Sequence, residues 1–228
     1  MRSVLHGPVC VSLALAIVAL SGCAHKKRAR VAPHPPPPPR AGASPLLVET
    51  GKASWYGHPY HGRTAANGEI YDMEKLTAAH RTLPFDSWVH VVNIGNQKAV
   101  DVRITDRGPF VDGRIIDLSH AAARQIELIG PGVTDVRLEI LSMPATARSS
   151  GVFAVQVGAF RDKNNAEREC ARLSAKYGAT KLVFREGNPS VWRVLVGSEK
   201  TADGADELRR RILKDSGEKI AFVIRLDS

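Results

Sequence analysis

Cysteine is scarce in this chain: only Cys10, Cys23 and Cys170 occur in 228 residues. Three scattered thiols exclude both a disulfide framework and a cysteine-based zinc site. Apolar sequence is too limited for a protein of several membrane spans. No Ser/His/Asp triad and no Gly-rich phosphate loop is legible, which removes the commonest nucleophilic and nucleotide-handling chemistries. Acidic residues are missing altogether from residues 24–45, where Lys26, Lys27, Arg28, Arg30 and Arg40 stand unopposed. What is present is enough to fold. A hydrophobic share of 43% rules out global disorder, and the length suits one large domain or two modest ones. The formal charge of +9 is unevenly spread, since residues 47–141 carry 10 basic and 12 acidic side chains while residues 142–228 carry 16 and 11. Basic character belongs to a tail and to a C-terminal module, so a nucleic-acid partner would have to bind the latter.

Arg2 and His6 precede an apolar run from Val9 to Leu20, too short for a comfortable membrane span and suited to a signal-peptide core. The run ends in Leu20-Ser21-Gly22-Cys23, which resembles a bacterial lipobox. That resemblance implies cleavage before Cys23 and diacylglycerol on its thiol, each buried methylene adding about 0.8 kcal/mol of anchoring. Ala24 follows where an Asp would signal inner-membrane retention, which favours the outer membrane. The proline run Pro35–Pro39 then makes a stiff, extended spacer.

Short alternating runs predict strands at Val48–Tyr56, Trp88–Ile94, Ala99–Thr105, Ile115–Leu118 and Val136–Leu141. One helix is expected from an N-cap at Ser119 to near Gly130. Many short strands with one helix point to a small closed barrel. Six motifs follow one another here: Gly51-Lys-Ala-Ser-Trp-Tyr-Gly57, Thr64-Ala-Ala-Asn-Gly-Glu69, Leu76-Thr-Ala-Ala-His80, Thr82-Leu-Pro84, Asp106-Arg-Gly-Pro-Phe110 and Arg114-Ile-Ile-Asp-Leu-Ser119. Together they resemble the rare lipoprotein A (RlpA) family, whose core is a double-psi β-barrel and whose members cleave peptidoglycan glycan strands, some lacking activity. Thr64-Ala-Ala-Asn carries one alanine beyond the family pattern, a loop insertion.

The resemblance implies three catalytic positions: Glu69, His80 and Asp106. A lytic transglycosylase protonates the glycosidic oxygen and then takes a proton from the sugar's own C6 hydroxyl, closing a 1,6-anhydro ring. One carboxylate serves both steps if its surroundings raise its pKa, and the intramolecular hydroxyl outcompetes water by proximity. Asp106, at a strand end before a Gly-Pro turn, is the expected acid/base. Glu69 is expected to be its carboxylate neighbour, and His80 to hydrogen-bond and orient one of them. A turn cap, or a salt bridge from Asp106 to Arg107 or Arg103, is the structural alternative. His58 and His61 with His80 and Asp106 have a possible metal spacing, but histidines beside Gly and Pro read better as exposed loop residues, and no metal or other cofactor is expected. Trp55, Tyr56 and Tyr60 are candidates to stack on sugar rings, with barrel core the alternative for Trp55.

After Ser142–Ser150 a pattern repeats. Val155-Gln-Val-Gly158 precedes a helix burying Ala166, Cys170, Leu173 and Tyr177, with Cys170 a small hydrophobe. Val194-Leu-Val-Gly197 precedes a helix capped by Thr201 and burying Ala205, Leu208 and Ile212. Strands at Lys181–Phe184 and Ile220–Ile224 complete a βαββαβ unit, a four-stranded antiparallel sheet with helices on one face. Phe153-Ala-Val-Gln-Val-Gly-Ala-Phe160 and Trp192-Arg-Val-Leu-Val-Gly197 resemble the SPOR domain, which binds septal glycan stripped of stem peptides. Strand parity puts Gln156 and Arg193 on the sheet face expected to be open for ligand, and turns Trp192 inward. Gln156 can donate to and accept from sugar hydroxyls, and Arg193 can pair with a lactyl carboxylate. RNA-recognition modules share this topology, but these strands lack paired exposed aromatics and the lipobox keeps the chain from nucleic acid.

The expected architecture is mainly β plus α+β: signal peptide 1–22, anchored linker 23–46, double-psi β-barrel 47–141, linker 142–150 and SPOR domain 151–228. The expected function is lytic transglycosylation of peptidoglycan strands lacking stem peptides, at the division septum of the cell envelope. Glycan and, through Cys23, a membrane are the expected partners, with divisome proteins as candidates. A non-catalytic septal glycan-binding lipoprotein is the alternative.

Overall fold

The computed structural model describes residues 47–145, 151–186 and 189–226; the lipobox, Cys23 and the proline run lie outside them. Six strands form the first domain: β1 (Val48–Tyr56), β2 (Thr77–His80), β3 (Trp88–Asn93), β4 (Ala99–Asp106), β5 (Arg114–Ser119) and β6 (Val133–Ser142). They close into a barrel in the order β1-β5-β2-β4-β3-β6. The pairs β1–β5 and β2–β4 are parallel and the rest antiparallel, giving the double-psi type of barrel that the motifs imply. Alternation drives this closure. Val89, Val91, Val100, Val102, Ile104, Ile116, Leu118, Val136, Leu138 and Ile140 point inward and are buried. Each such side chain contributes about 1.5–3 kcal/mol when removed from water.

The barrel's one helix, α1 (His120–Gln125), starts where Ser119 Oγ accepts from Ala122 N at 3.2 Å and donates to Lys75 O at 2.6 Å. It stops five residues before Gly130, because Glu127 takes a left-handed φ of 57°. Two further departures from the sequence expectation concern strands. β6 begins at Val133, three residues early, because Val133, Thr134 and Asp135 pair with Ser54, Ala53 and Lys52 of β1. β2 carries no strand signal in the sequence, since all four of its residues are buried and show no alternation.

The second domain comprises β7 (Phe153–Phe160), α2 (Lys163–Tyr177), β8 (Thr180–Arg185), β9 (Val191–Glu199), α3 (Ala202–Ser216) and β10 (Phe222–Arg225). Its sheet order is β10-β7-β9-β8. Asp162 caps α2 by accepting from Asn165 N at 2.8 Å, and Thr201 caps α3 by accepting from Gly204 N at 3.1 Å. Both helices cover the face carrying Val155, Val157, Val194 and Val196, and Trp192 packs with them.

The opposite sheet face differs from expectation. It is covered by the barrel. Ala154, Leu195 and Ile224 form a small apolar cluster there with Phe222 and with Phe110 of the barrel. Phe110 and Phe222 meet edge to face at 6.0 Å between ring centroids. Arg225 N donates to Arg81 O at 2.9 Å, and Arg107 Nε to Arg225 O at 3.3 Å. The reason is composition: a sheet face bearing Ala, Leu and Ile gains by leaving water, and Phe110 supplies a matching surface.

Candidate active site

A cavity of about 480 Å³ lies where the domains meet, lined by Asp106, Asp117, Ala79, Tyr56 and Tyr60 of the barrel and by Gln156, Arg185 and Arg193 of the second domain. Its floor follows from strand register. Ala79 of β2 is the partner of Asp106 on β4 and of Asp117 on β5. Two carboxylates thus flank one small side chain, their Cα atoms about 9–10 Å apart at two strand spacings. The register shifts between Ala78 and Ala79, where Thr105 is an extra residue on β4 just before Asp106, the kind of irregularity that re-aims side chains beside a site.

Asp106 is buried at the end of β4. Its Oδ1 accepts from Ala66 N at 3.0 Å and Arg107 N at 2.7 Å, and Arg185 Nη2 donates to both carboxylate oxygens at 2.9 Å. The local salt bridge that was the structural alternative does not form, and one from the second domain stands in its place: Arg107 offers Asp106 its backbone, and Arg103 turns elsewhere. Asp117 sits in a different environment. Burial pushes its carboxyl above the ordinary Asp range, and the Asp106 charge works the same way, against the Ser54 hydroxyl that donates to it and the cations Arg114 and Arg81. Arg114 Nε stands 3.7 Å from Asp117 Oδ1.

Glu69 and His80 do not line this cavity. The expected Glu69–Asp106 pairing gives way to a bidentate one with Arg103, at 2.9 and 2.7 Å, with Asn67 Nδ2 also donating to Glu69 at 2.8 Å. Arg103 bridges to Asp86 as well. This ion pair fastens the 64–70 loop to β4, and Asn67 N adds a bond to Thr105 O at 3.2 Å. The same loop carries the Ala66 amide that reaches Asp106.

His80, 3% exposed, bonds Glu49 through Nε2 at 3.2 Å instead of bonding Asp106 or Glu69. Its Nδ1 accepts from Thr82 N and Leu83 N at 3.2 and 3.1 Å, so in the neutral ring the proton is assigned to Nε2. Burial works to raise the Glu49 carboxyl, but His80 and Arg81 together bring it below its usual range. His80 is thus built as a cap on the turn after β2.

An aromatic wall completes the cavity. Tyr56 stacks on Tyr71 at 4.4 Å and meets Tyr60 edge-on at 6.1 Å, and Tyr60 is 43% exposed. Trp55 both lines the cavity and packs against the barrel core. Among the described residues no three His, Cys, Asp or Glu side chains gather into a cluster that could hold a metal ion. His61 instead accepts from Met73 N at 3.2 Å. Gln156 and Arg193, 5% and 8% exposed, lie on the face that meets the barrel, with the Arg193 guanidinium 4.2 Å from the Phe110 ring centroid.

Asp117 is the residue that motif reading passed over, although it stands within Arg114-Ile-Ile-Asp-Leu-Ser119. A lone Asp between apolar strand residues was the available signal, because a buried strand admits a carboxylate only at a cost.

Residues 48–138 match the family described as lytic transglycolase, and residues 149–225 match the SPOR domain. The endolytic peptidoglycan transglycosylase RlpA of Vibrio cholerae serotype O1 is 37% identical over 184 residues, covering 78% of this chain and 69% of that protein. The protein of the same name from Helicobacter pylori strain J99 is 35% identical, covering 71% of this chain and 60% of its own. That of Pasteurella multocida is 55% identical over 101 residues, covering 44% of this chain and 34% of its own. With a barrel of the matching type, a SPOR domain behind it and similarity running across both, the chain belongs to the RlpA family of endolytic peptidoglycan transglycosylases.

Proposed function

We propose that the barrel cuts glycan strands with Asp117 as proton donor and Asp106 as base, leaving 1,6-anhydromuramic ends. The observation that carries this reading is the pair of carboxylates flanking Ala79 on one cavity floor in unlike surroundings. Asp117, held above the ordinary range by burial, keeps its proton to higher pH and can give it to the glycosidic oxygen. Asp106, facing the same space, supplies the oxygen that takes the C6 hydroxyl proton. From its motif Asp106 is expected to serve both steps with Glu69 beside it; the cavity favours Asp117 in the place of Glu69.

Tyr56 and Tyr60 offer faces for sugar rings. Preference for strands without stem peptides rests on Arg193, whose guanidinium suits a free lactyl carboxylate, and on Gln156 for the sugar hydroxyls. The SPOR match supports recruitment to the septum, and the Leu20–Cys23 motif supports a lipid anchor on Cys23, most simply in the outer membrane.

Mass spectrometry of soluble products from purified, stem-peptide-free glycan tests the chemistry. Anhydro-terminated fragments are expected, and Asp106→Asn should lower turnover by about 10²-fold or more. Reducing-end products would mean hydrolysis instead. Near-normal turnover in folded Asp106→Asn protein would remove Asp106 from the reaction, and no products from the folded parent would favour a glycan-binding role alone.

A further inference from the structure

The contact between the domains falls on the two places where glycan would have to go. On the barrel side it falls on Asp106. Oδ1 already takes two backbone donors and Arg185, and Oδ2, the oxygen left for a sugar hydroxyl, is taken by Arg185 too. Arg185 Nη1 also donates to Arg107 O at 3.2 Å, so the guanidinium is held at this spot from two directions. A carboxylate engaged in this way cannot accept the C6 hydroxyl proton until Arg185 leaves.

On the second domain it falls on the sheet face that bears Gln156 and Arg193. Gln156 Oε1 and Arg193 Nη2 are buried there without a hydrogen-bond partner. Both have lost water and gained nothing polar in exchange, which works against the closed arrangement. Burial, with Arg185 and Arg107 close by, brings the Arg193 guanidinium down to about 9. The apolar cluster around Phe110 and Phe222 and the Arg185–Asp106 pair hold the domains together, while these stranded groups pull the other way. Such an interface is poised rather than permanent, and the atoms it leaves unsatisfied are those a carboxylate-bearing sugar chain would satisfy.

We propose that the C-terminal domain is a removable cap on the catalytic cavity. In the ligand-free chain Arg185 occupies Asp106, and a glycan strand binding the Gln156–Arg193 face displaces the barrel from it and frees the carboxylate. This rests on the assignment of Asp106 to the reaction. Its consequence is that the lipid-anchored enzyme stays silent until its C-terminal domain has engaged wall stripped of peptides, so targeting and activity are one event.

Arg185→Met in the full chain removes the guanidinium and keeps most of the side chain's length. Losing a charge-assisted pair should shift the closed–open balance by about tenfold or more. Turnover on stem-peptide-free strands at low concentration should rise by a similar factor, and the advantage should shrink as glycan saturates the parent protein. Amide hydrogen exchange supplies a readout independent of turnover: residues 106–110 and 153–158 should exchange faster in ligand-free Arg185→Met than in the parent. Against an active parent, equal or lower turnover in the variant, or unchanged exchange, overturns the cap. Faster exchange with no turnover in either protein upholds the cap and overturns the catalytic reading, whereas an active parent with unchanged exchange does the reverse.

Discussion

Glu69→Gln separates a structural carboxylate from a catalytic one. Glu69 holds both ends of the Arg103 guanidinium, whose side chain is 4% exposed, and Asp86 holds it from the other side. Burial alone would lower the Arg103 pKa, but the hydrogen bonds it donates to Glu69 and Asp86, with their charges, outweigh this and raise the value. Replacing Glu69 by Gln keeps the shape and one acceptor while removing the charge. Stripping a buried cation of all its partners costs about 3–5 kcal/mol. With Asp86 still in place the loss should be about 1–3 kcal/mol, the range for hydrogen bonds to charged groups. For a domain of this size each kcal/mol moves Tm by about 4–8 °C, so a fall of about 5–20 °C is expected in a circular-dichroism melt. Turnover per folded molecule, measured well below the lowered Tm, should fall only a few-fold, through loosening of the loop that aims the Ala66 amide at Asp106. Adding Arg103→Met should restore much of the lost stability, because it removes the cation that Glu69 neutralises. A Glu69→Gln protein that melts like its parent yet loses 100-fold or more in turnover, unrelieved by Arg103→Met, would show that Glu69 takes part in the chemistry.

Asp117 should set the alkaline limb of the pH–rate profile: with its carboxyl raised, the proton donor persists past the ordinary Asp range and is lost as pH rises further. Asp117→Asn should abolish that limb and lower turnover by about 10²- to 10⁴-fold, and a parent-like profile in the variant would reassign the donor. Linkage gives a second sign for the same group, because a folded-state value above the unfolded one stabilises the protein at low pH and is lost as pH climbs through the folded value. Asp117→Asn should therefore be at least as stable as the parent at pH 8 in urea, and a marked loss there would contradict the assigned direction. His80→Ala strands the Thr82 and Leu83 amides, at about 1–3 kcal/mol, and should lower the urea midpoint while leaving turnover per folded molecule close to the parent's. A fully stable but inactive His80→Ala protein would return His80 to the mechanism. Cys23→Ser should accumulate as uncleaved precursor that takes up no labelled palmitate, and a cleaved, labelled variant would refute the lipobox reading.

What was legible in the sequence is what depends on neighbours along the chain. Alternation marked β1, β3 and β4 closely, and Ser119 and Thr201 cap helices where short polar side chains precede apolar periodicity. Parity sorted β7 and β9 correctly, with Val155 and Val194 under the helices and Gln156 and Arg193 opposite. The losses are long-range. β2 is buried on both faces between β4 and β5, so it carries no alternation to read. Ser54 meets Asp117 across 63 positions and Arg185 meets Asp106 across 79, distances at which no periodicity reports a contact. Motif resemblance ranked Glu69 and His80 with Asp106 because all three stand in the same run of motifs. Register, which decides which side chains share a cavity, separates them.

The barrel's closure also governs how the chain can acquire its structure. β1 is the first strand made, yet its two neighbours are β5, at 114–119, and β6, at 133–142. β6 in turn pairs with both β1 and β3, so the last strand is the one that shuts the ring. A chain delivered amino end first holds its opening strand with neither partner until some sixty further residues have arrived, and loop closure over that span must precede any gain from the pairing. The ring therefore cannot close before β6 is made. If the proposed lipobox sends the chain across a membrane amino end first, the barrel can close only on the far side, after the strand that ends at Ser142 has arrived.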